Sequence, residues 1–251
     1  MIAAEPRRLD CAADLADLMA LSTAVGWNQV EADWRRMLEL EPEGCFGVAA
    51  EGRVAASATV ITYGRELAWI GMVLTLPEYR GRGFATQLMQ KCLDYCDGKN
   101  VKTVKLDATD LGRPVYEKFG FVEEYVVERW KGTLEGGARR ELAHDFELDR
   151  AAFGADRRAL LERVGFSREG RVASYAGPVV CRTTEEARER ILHGGAAGLT
   201  FWDLPLVNAA AVRLAEELGF APARRLWRMR RGAAIEERPE FVYALAGFEF
   251  G

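Results

Sequence analysis

Leu74-Thr75-Leu76-Pro77-Glu78-Tyr79-Arg80-Gly81-Arg82-Gly83-Phe84-Ala85 is the stretch on which the fold turns. Ahead of it apolar residues recur with period 2 and behind it with period 3.6, so it joins a strand to an amphipathic helix. The first turn of a helix has amide N–H groups without internal partners and lies at the positive end of the macrodipole, which suits a phosphate. Gly81 and Gly83 lack a Cβ, admit close approach and can take φ > 0, turning successive amides towards one anion. Arg80 and Arg82 add charge that can answer a diphosphate. There is no GxxxxGK[ST], which excludes a P-loop, and no GxGxxG after an early strand, which argues against a dinucleotide fold. A single Arg-Gly-Arg-Gly tetrad also lacks the long repeats of RNA-contacting elements. On spacing alone, a ligand-holding loop and a glycine-rich turn with no ligand both stay open.

Upstream, the runs Phe46 to Ala50, Arg53 to Tyr63 and Leu67 to Thr75 are strand-like, and Glu51-Gly52 and Gly64-Arg65 mark the turns of an antiparallel meander. Asp10 followed by Leu15, Leu18, Met19 and Leu21 predicts a first helix that Gly26 ends. Trp34, Met37, Leu38 and Leu40 predict a second that stops before Pro42, so two helices are expected ahead of every strand. Downstream, a helix carrying Ala85, Leu88, Met89, Cys92, Leu93 and Cys96 closes at Gly98, and a strand from Val101 to Ala108 follows. A strand reached through a helix is expected to run parallel to its predecessor by a right-handed crossover. A short helix over Val115 to Phe119, a stop at Gly120 and a strand from Phe121 to Trp130 complete a first unit, residues 1–131.

Lys131 to Arg140, with Gly132, Gly136 and Gly137, reads as a linker, taken as residues 132–140. In residues 141–251 the plan recurs: Gly219-Phe220 echoes Gly120-Phe121, Asp203 echoes Asp107, and each leads to a strand ending in a basic stretch. Duplication with divergence is the expectation. Arg224, Arg225, Arg228, Arg230 and Arg231 alternate with Leu226, Trp227 and Met229, which predicts a strand with one solvated face rather than an anion-binding patch.

Thirty-four Lys and Arg against 38 Asp and Glu give a net charge of −4 over 251 residues, so no nucleic-acid partner is expected. Cys11, Cys45, Cys92, Cys96 and Cys181 are too few for a disulfide scaffold and read as reduced thiols in a cytoplasmic protein. Glu5, Arg7, Arg8 and Asp10 interrupt any apolar leader, and no run reaches membrane-spanning length. No metal site is expected.

Arg80-Gly81-Arg82-Gly83-Phe84-Ala85 resembles the [R/Q]-x-x-G-x-[G/A] signature of the GNAT superfamily of N-acetyltransferases, with Arg80, Gly83 and Ala85 in the defining places. The order of elements over residues 1–131 is similar to that fold, and Tyr116-Glu117-Lys118-Phe119-Gly120-Phe121 resembles its Y-E-K-x-G-F segment. The resemblance implies an α/β (α+β) fold with a mixed, mostly antiparallel sheet flanked by helices. It implies acetyl-CoA as donor, its pyrophosphate on the amides of Gly81, Arg82, Gly83, Phe84, Ala85 and Thr86, and its pantetheine along Val73, Leu74 and Thr75. Thr109 stands where the family often has an Asn that contacts cofactor. The second half keeps an asparagine, Asn208, but has lost the tyrosine, and Arg190-Ile191-Leu192-His193-Gly194-Gly195 does not form the signature. It is therefore expected to be a degenerate copy without its own cofactor, and its Asp149-Arg150, Phe153-Gly154 and Gly177-Pro178 are similar to C-terminal domains of some bacterial GNAT enzymes.

Acyl transfer from a thioester to an amine needs a neutral nucleophile, a polarised carbonyl and a proton for the departing thiolate. Without the resemblance, Tyr116 reads first as filler of a helix–sheet seam; with it, Tyr116 is the expected proton donor, since a phenol of pKa ~10 stays protonated at neutral pH. Asp107 is a candidate base or acceptor contact, and equally a turn-former. Trp27 and Asn28, between the first two helices, are candidates for holding the acceptor, with Trp27 also open to a core role. His144 and His193 lie outside the first unit and are given no role. The acceptor is expected to be a small-molecule amine ahead of a protein. A regulatory acyl-CoA-binding module and a transferase for longer acyl groups are the alternatives.

Overall fold

The structure, a computed structural model, describes residues 5–136, 140 and 142–251. Helix α1 (Cys11–Ala24) starts where the Asp10 carboxylate accepts from the amides of Ala12 and Ala13, and buries Leu15, Leu18 and Leu21. Helix α2 (Glu31–Leu40) buries Trp34, Met37 and Leu38. One expectation fails at the outset: Arg7–Arg8 form a two-residue strand β1 that pairs with Gly47 and Phe46, so a strand does precede the helices. Two exposed arginines have no periodicity to read.

Strands β2 (Cys45–Ala50), β3 (Arg53–Tyr63) and β4 (Leu67–Thr75) form the antiparallel meander. Helix α3 (Phe84–Gly98) buries Leu88, Met89, Cys92, Leu93 and Cys96 and leads back to β5 (Thr103–Ala108), which runs parallel to β4. Helix α4 (Arg113–Glu117) and β6 (Val122–Leu134) follow. β6 pairs as far as Leu134, so residues 132–134 of the expected linker are strand; Gly137 lies outside the described residues.

The second half contains α5 (Phe146–Phe153), α6 (Arg158–Val164), β7 (Ser167–Arg168), β8 (Ser174–Ala176), β9 (Val179–Val180), α7 (Thr184–His193), β10 (Gly198–Pro205), α8 (Ala209–Glu217), β11 (Ala221–Gly232) and β12 (Val242–Ala244). β9 and β12 make a small separate ribbon. All the other strands belong to one mixed sheet ordered β1-β2-β3-β4-β5-β11-β6-β10-β8-β7. β11 is thus inserted between β5 and β6, antiparallel to both. Outward from the β6/β11 pair the relations repeat: β11 meets β5 and β6 meets β10 antiparallel, and then β5 meets β4 and β10 meets β8 parallel.

The β11 arginines do not form one solvated face, although Arg225 is exposed. Arg228 is buried against Asp107, and Arg225, Arg230 and Arg231 meet Glu128, Glu124 and Asp97. Strand insertion places carboxylates of the first half opposite them, a pairing invisible in local alternation.

Candidate active site

The decisive loop is fastened by its apolar members. Tyr79 and Phe84 are buried and stack with ring centroids 6.3 Å apart, while Arg82 lies 4.8 Å over the Tyr79 ring. Between them Gly81 (φ +76°) and Gly83 (φ +81°) take the left-handed conformation, and a Cβ on either would meet nothing within 4 Å. Gly83 immediately precedes α3, no side chain among the described residues caps the helix, and its first internal bond runs from the Gln87 amide to the Gly83 carbonyl. The amides of Phe84, Ala85 and Thr86 therefore face open space with the helix dipole behind them. Arg80 and Arg82 are exposed beside it. Backbone room, free donors and positive charge coincide, so the loop fits a diphosphate. In the second half, Thr183 caps α7 by accepting from the Glu186 amide, and Glu185 and Glu186 occupy its first turn, an arrangement that repels an anion.

β4 and β5 pair only from Leu67 opposite Thr103 to Trp69 opposite Lys105, and then diverge. The cause is a bulge in β4: Ser57 pairs with Leu74 and Thr59 with Gly71, so Met72 and Val73 face a single residue of β3. Met72 has φ +50°, and the Ser57 hydroxyl donates to its carbonyl at 2.8 Å. A cavity of about 90 Å³ fills the gap, walled by Ile70 to Val73 on one side and by Leu106, Asp107, Thr109 and Tyr116 on the other. Val73 and Thr75 are half-buried and Leu74 is buried.

Tyr116 reaches the cavity because Gly112 allows it: a Cβ at Gly112 would stand 3.0 Å from the Tyr116 ring. The ring packs edge-on to Phe121 at 6.2 Å. Its hydroxyl has no hydrogen-bond partner among the described residues, and burial, with the Cys92 thiol adding to it, pushes the phenol up to about 12. It therefore stays protonated across the physiological range. Thr109 accepts from the Gly112 amide at 3.1 Å, which holds the entry to α4.

Asp107 is neither a turn-former nor a free base. It sits within β5, and both its oxygens accept from Arg228, at 2.9 and 3.0 Å. Burial raises its carboxyl and Arg228 opposes that rise. Trp27 does line the cavity, but Asn28 does not. The Asn28 side chain donates to the Ala173 carbonyl at 2.8 Å and accepts from the Val172 and Ala173 amides, locking the α1–α2 loop to the second half. Gln29 takes the place expected of Asn28, on the cavity wall.

The carboxylate that sequence reasoning missed is Glu249. Residues 247–251 cross β3 and β4: Trp69 donates to the Phe248 carbonyl at 2.9 Å, Tyr63 to that of Phe250 at 2.7 Å, and Arg157 to that of Gly251 at 2.8 Å. Glu249 is thereby seated over Gly71, beside the bulge, and lines the cavity with Phe248, Leu226, Arg224 and Arg129. One of its oxygens accepts from Arg168 at 2.7 Å. Burial raises its carboxyl, Asp33 adds to the rise, and Arg168 and Arg129 oppose it. Only the alternation of Phe248 and Phe250 around it hinted at a strand-like, inward-facing segment.

Residues 14–121 match the model of the acetyltransferase (GNAT) family. The chain is 24% identical to the holothin acyltransferase of Pseudoalteromonas sp. (strain SANK 73390), over 90% of this chain and 87% of that one. It is also 24% identical to the uncharacterized N-acetyltransferase YitH of Bacillus subtilis (strain 168), over 82% and 84%. Among solved structures, a Pyrococcus horikoshii chain provisionally assigned as an acetyltransferase superposes with a TM-score of 0.86 at 25% identity, over 100% of this chain and 97% of that one.

Proposed function

We propose that the chain, whose residues 14–121 match the GNAT acetyltransferase family, is an acyltransferase of that type that moves an acetyl group from acetyl-CoA to a small-molecule amine. The observation that carries the reading is that one opening serves both needs: the uncapped amides ahead of α3 lie at the end of the strand whose bulge opens the cavity of Tyr116 and Glu249.

The amides from Gly81 to Thr86, with Arg80 and Arg82, hold the diphosphate, and Val73, Leu74 and Thr75 offer the β4 edge to the pantetheine. Acetyl-CoA supplies the thioester that the amine attacks. Donors fixed along the bulged β4 segment are in place before reaction, which is how backbone amides stabilise developing negative charge without reorganising. Tyr116 gives its proton to the departing thiolate. Glu249, whose backbone rests on Gly71 beside the bulge and which lines the cavity, takes the proton of the attacking amine. Asp107, bound at both oxygens by Arg228, shapes the wall instead of reacting.

Arg224, Leu226, Phe248 and Glu249, all from the second half, close the acceptor side, which favours a small amine over a protein. The five thiols, all unpaired with one another, are in keeping with a cytoplasmic setting; among the described residues no helix is long and apolar enough to cross a membrane. The test is an amine screen with 5,5′-dithiobis(2-nitrobenzoic acid) reporting free coenzyme A. Thiol release that depends on an added amine supports the reading. Tight acetyl-CoA binding without release across a broad panel would favour a binding module, and faster release from longer acyl-CoAs would change the donor.

A further inference from the structure

Four of the five arginines on β11 are matched with carboxylates, and Arg224 is the exception: it has no acidic partner among the described residues. Its guanidinium is half-buried, lines the cavity and lies 5.7 Å from the centre of the Trp27 ring. Burial and the neighbouring Arg129 hold it below the ordinary arginine value, outweighing the opposing pull of Asp203, whose carboxylate is bound by Arg129.

The other charges around the cavity cancel in pairs. Arg129 donates to both oxygens of Asp203, at 2.7 and 2.6 Å; Arg168 holds Glu249 at 2.7 Å; Arg228 holds Asp107. Asp33, which faces Arg168 and Glu249 from behind, is held by Arg36 at 2.9 Å, so what remains is one positive charge, supplied by Arg224. A second, independent feature faces the same space. Gln29 lines the cavity and is buried, and its side-chain oxygen accepts no hydrogen bond among the described residues. A buried acceptor left without a donor costs about 1–3 kcal/mol, so the site favours a bound group that can donate a hydrogen bond to it.

Resting on the transferase reading above, we infer that the acceptor is an amine that also carries a carboxylate, the carboxylate engaging Arg224 and the amine N–H engaging Gln29. Guanidinium and carboxylate are matched planar groups that bond in pairs, and Trp27 and Phe248 offer apolar walls to the carbon skeleton between the two ends.

The test compares matched twins, 4-aminobutyrate with butylamine and phenylalanine with phenethylamine, by kcat/KM in the thiol-release assay. The carboxylate twin should be used about 10- to 100-fold better, the gain expected of a charge-assisted hydrogen bond. Arg224→Gln should collapse that ratio towards one through KM for the carboxylate twins, and Arg224→Lys should keep part of it. Twins used equally, or a preference that Arg224→Gln leaves intact, overturns the assignment. If no amine releases thiol, the transferase reading fails, and melting temperature with coenzyme A plus each twin decides this one. A shift with the carboxylate twins only, lost in Arg224→Gln, upholds it; equal shifts for both twins overturn it. 2-Aminoethylphosphonate used in preference to 4-aminobutyrate would overturn the carboxylate in favour of a phosphonate-type anion.

Discussion

The backbone of Glu249 rests directly on Gly71: a Cβ placed on Gly71 would stand 2.8 Å from the Glu249 carbonyl oxygen and 2.9 Å from its Cα. The contact is with main chain, which cannot swing aside. Gly71→Ala should lift residues 247–251 from the β4 bulge and carry the Glu249 carboxylate with them. The expected result is a fall in turnover of about 10²-fold, the scale set by a reacting group misplaced by about 1 Å. Steady-state kinetics beside a melting curve checks it; a folded variant with full turnover would remove Glu249 from the reaction.

Glu249 also fixes a pH dependence. Burial raises its carboxyl, and a base works only after losing its proton, so activity should rise with pH through a value above the ~4.3 of an exposed glutamate. Glu249→Gln should lower turnover about 10²-fold and remove that rising limb. An unchanged limb would assign it to another group.

Tyr116 makes no hydrogen bond among the described residues that its loss would break, and burial pushes its phenol up to about 12. Tyr116→Phe should therefore reduce turnover by about 10²-fold or more with little effect on acetyl-CoA affinity or melting temperature. Equal turnover in the two forms would return the ring to a packing role.

At Gly83 the backbone is left-handed at φ +81°, with open space where a Cβ would go. Gly83→Ala should cost about 1–2 kcal/mol in loop geometry and place a methyl where the diphosphate must approach. Acetyl-CoA affinity, measured by calorimetry, should fall about tenfold or more. Undiminished affinity would move the diphosphate elsewhere.

Away from the cavity, Glu41 controls acid stability. Burial alone would raise its carboxyl, but Lys99, Thr62 and Tyr95 all donate to it and bring it below the ordinary value, with Lys99 at 2.6 Å and Tyr95 at 2.5 Å. A lowered carboxyl stabilises the fold above its unfolded value near ~4.3, and the benefit is lost as pH falls through the folded value. Glu41→Gln should cost about 2 kcal/mol at neutral pH and flatten the decline of melting temperature on acidification.

The first half was largely readable because its signals are local. Period-2 runs set β2, β3 and β4 to within a residue, the apolar spacing from Leu88 to Cys96 set α3, and the glycines at 81 and 83 set the loop. The cavity was only half readable. Tyr116, Trp27 and Thr109 belong to the segments that were recognised, and all three line it. Asn28 and Gln29 are adjacent polar residues, and which of them faces inward depends on Val172 and Ala173, about 145 positions away. Glu249 reaches Gly71 from a similar remoteness. Arg228 looked solvated because alternation within one strand reveals two faces without revealing what covers either, and Asp107 is supplied by another half of the chain.

Seating β11 between β5 and β6 makes the halves mutually dependent. Sever the chain anywhere between β6 and α5, and each fragment would bare a row of amides and carbonyls that the other ordinarily satisfies: β5 would lose its neighbour on one flank, and β10 would lose β6. Such fragments made separately would be prone to clumping through those naked edges, whereas a nicked molecule should stay together and melt as one body.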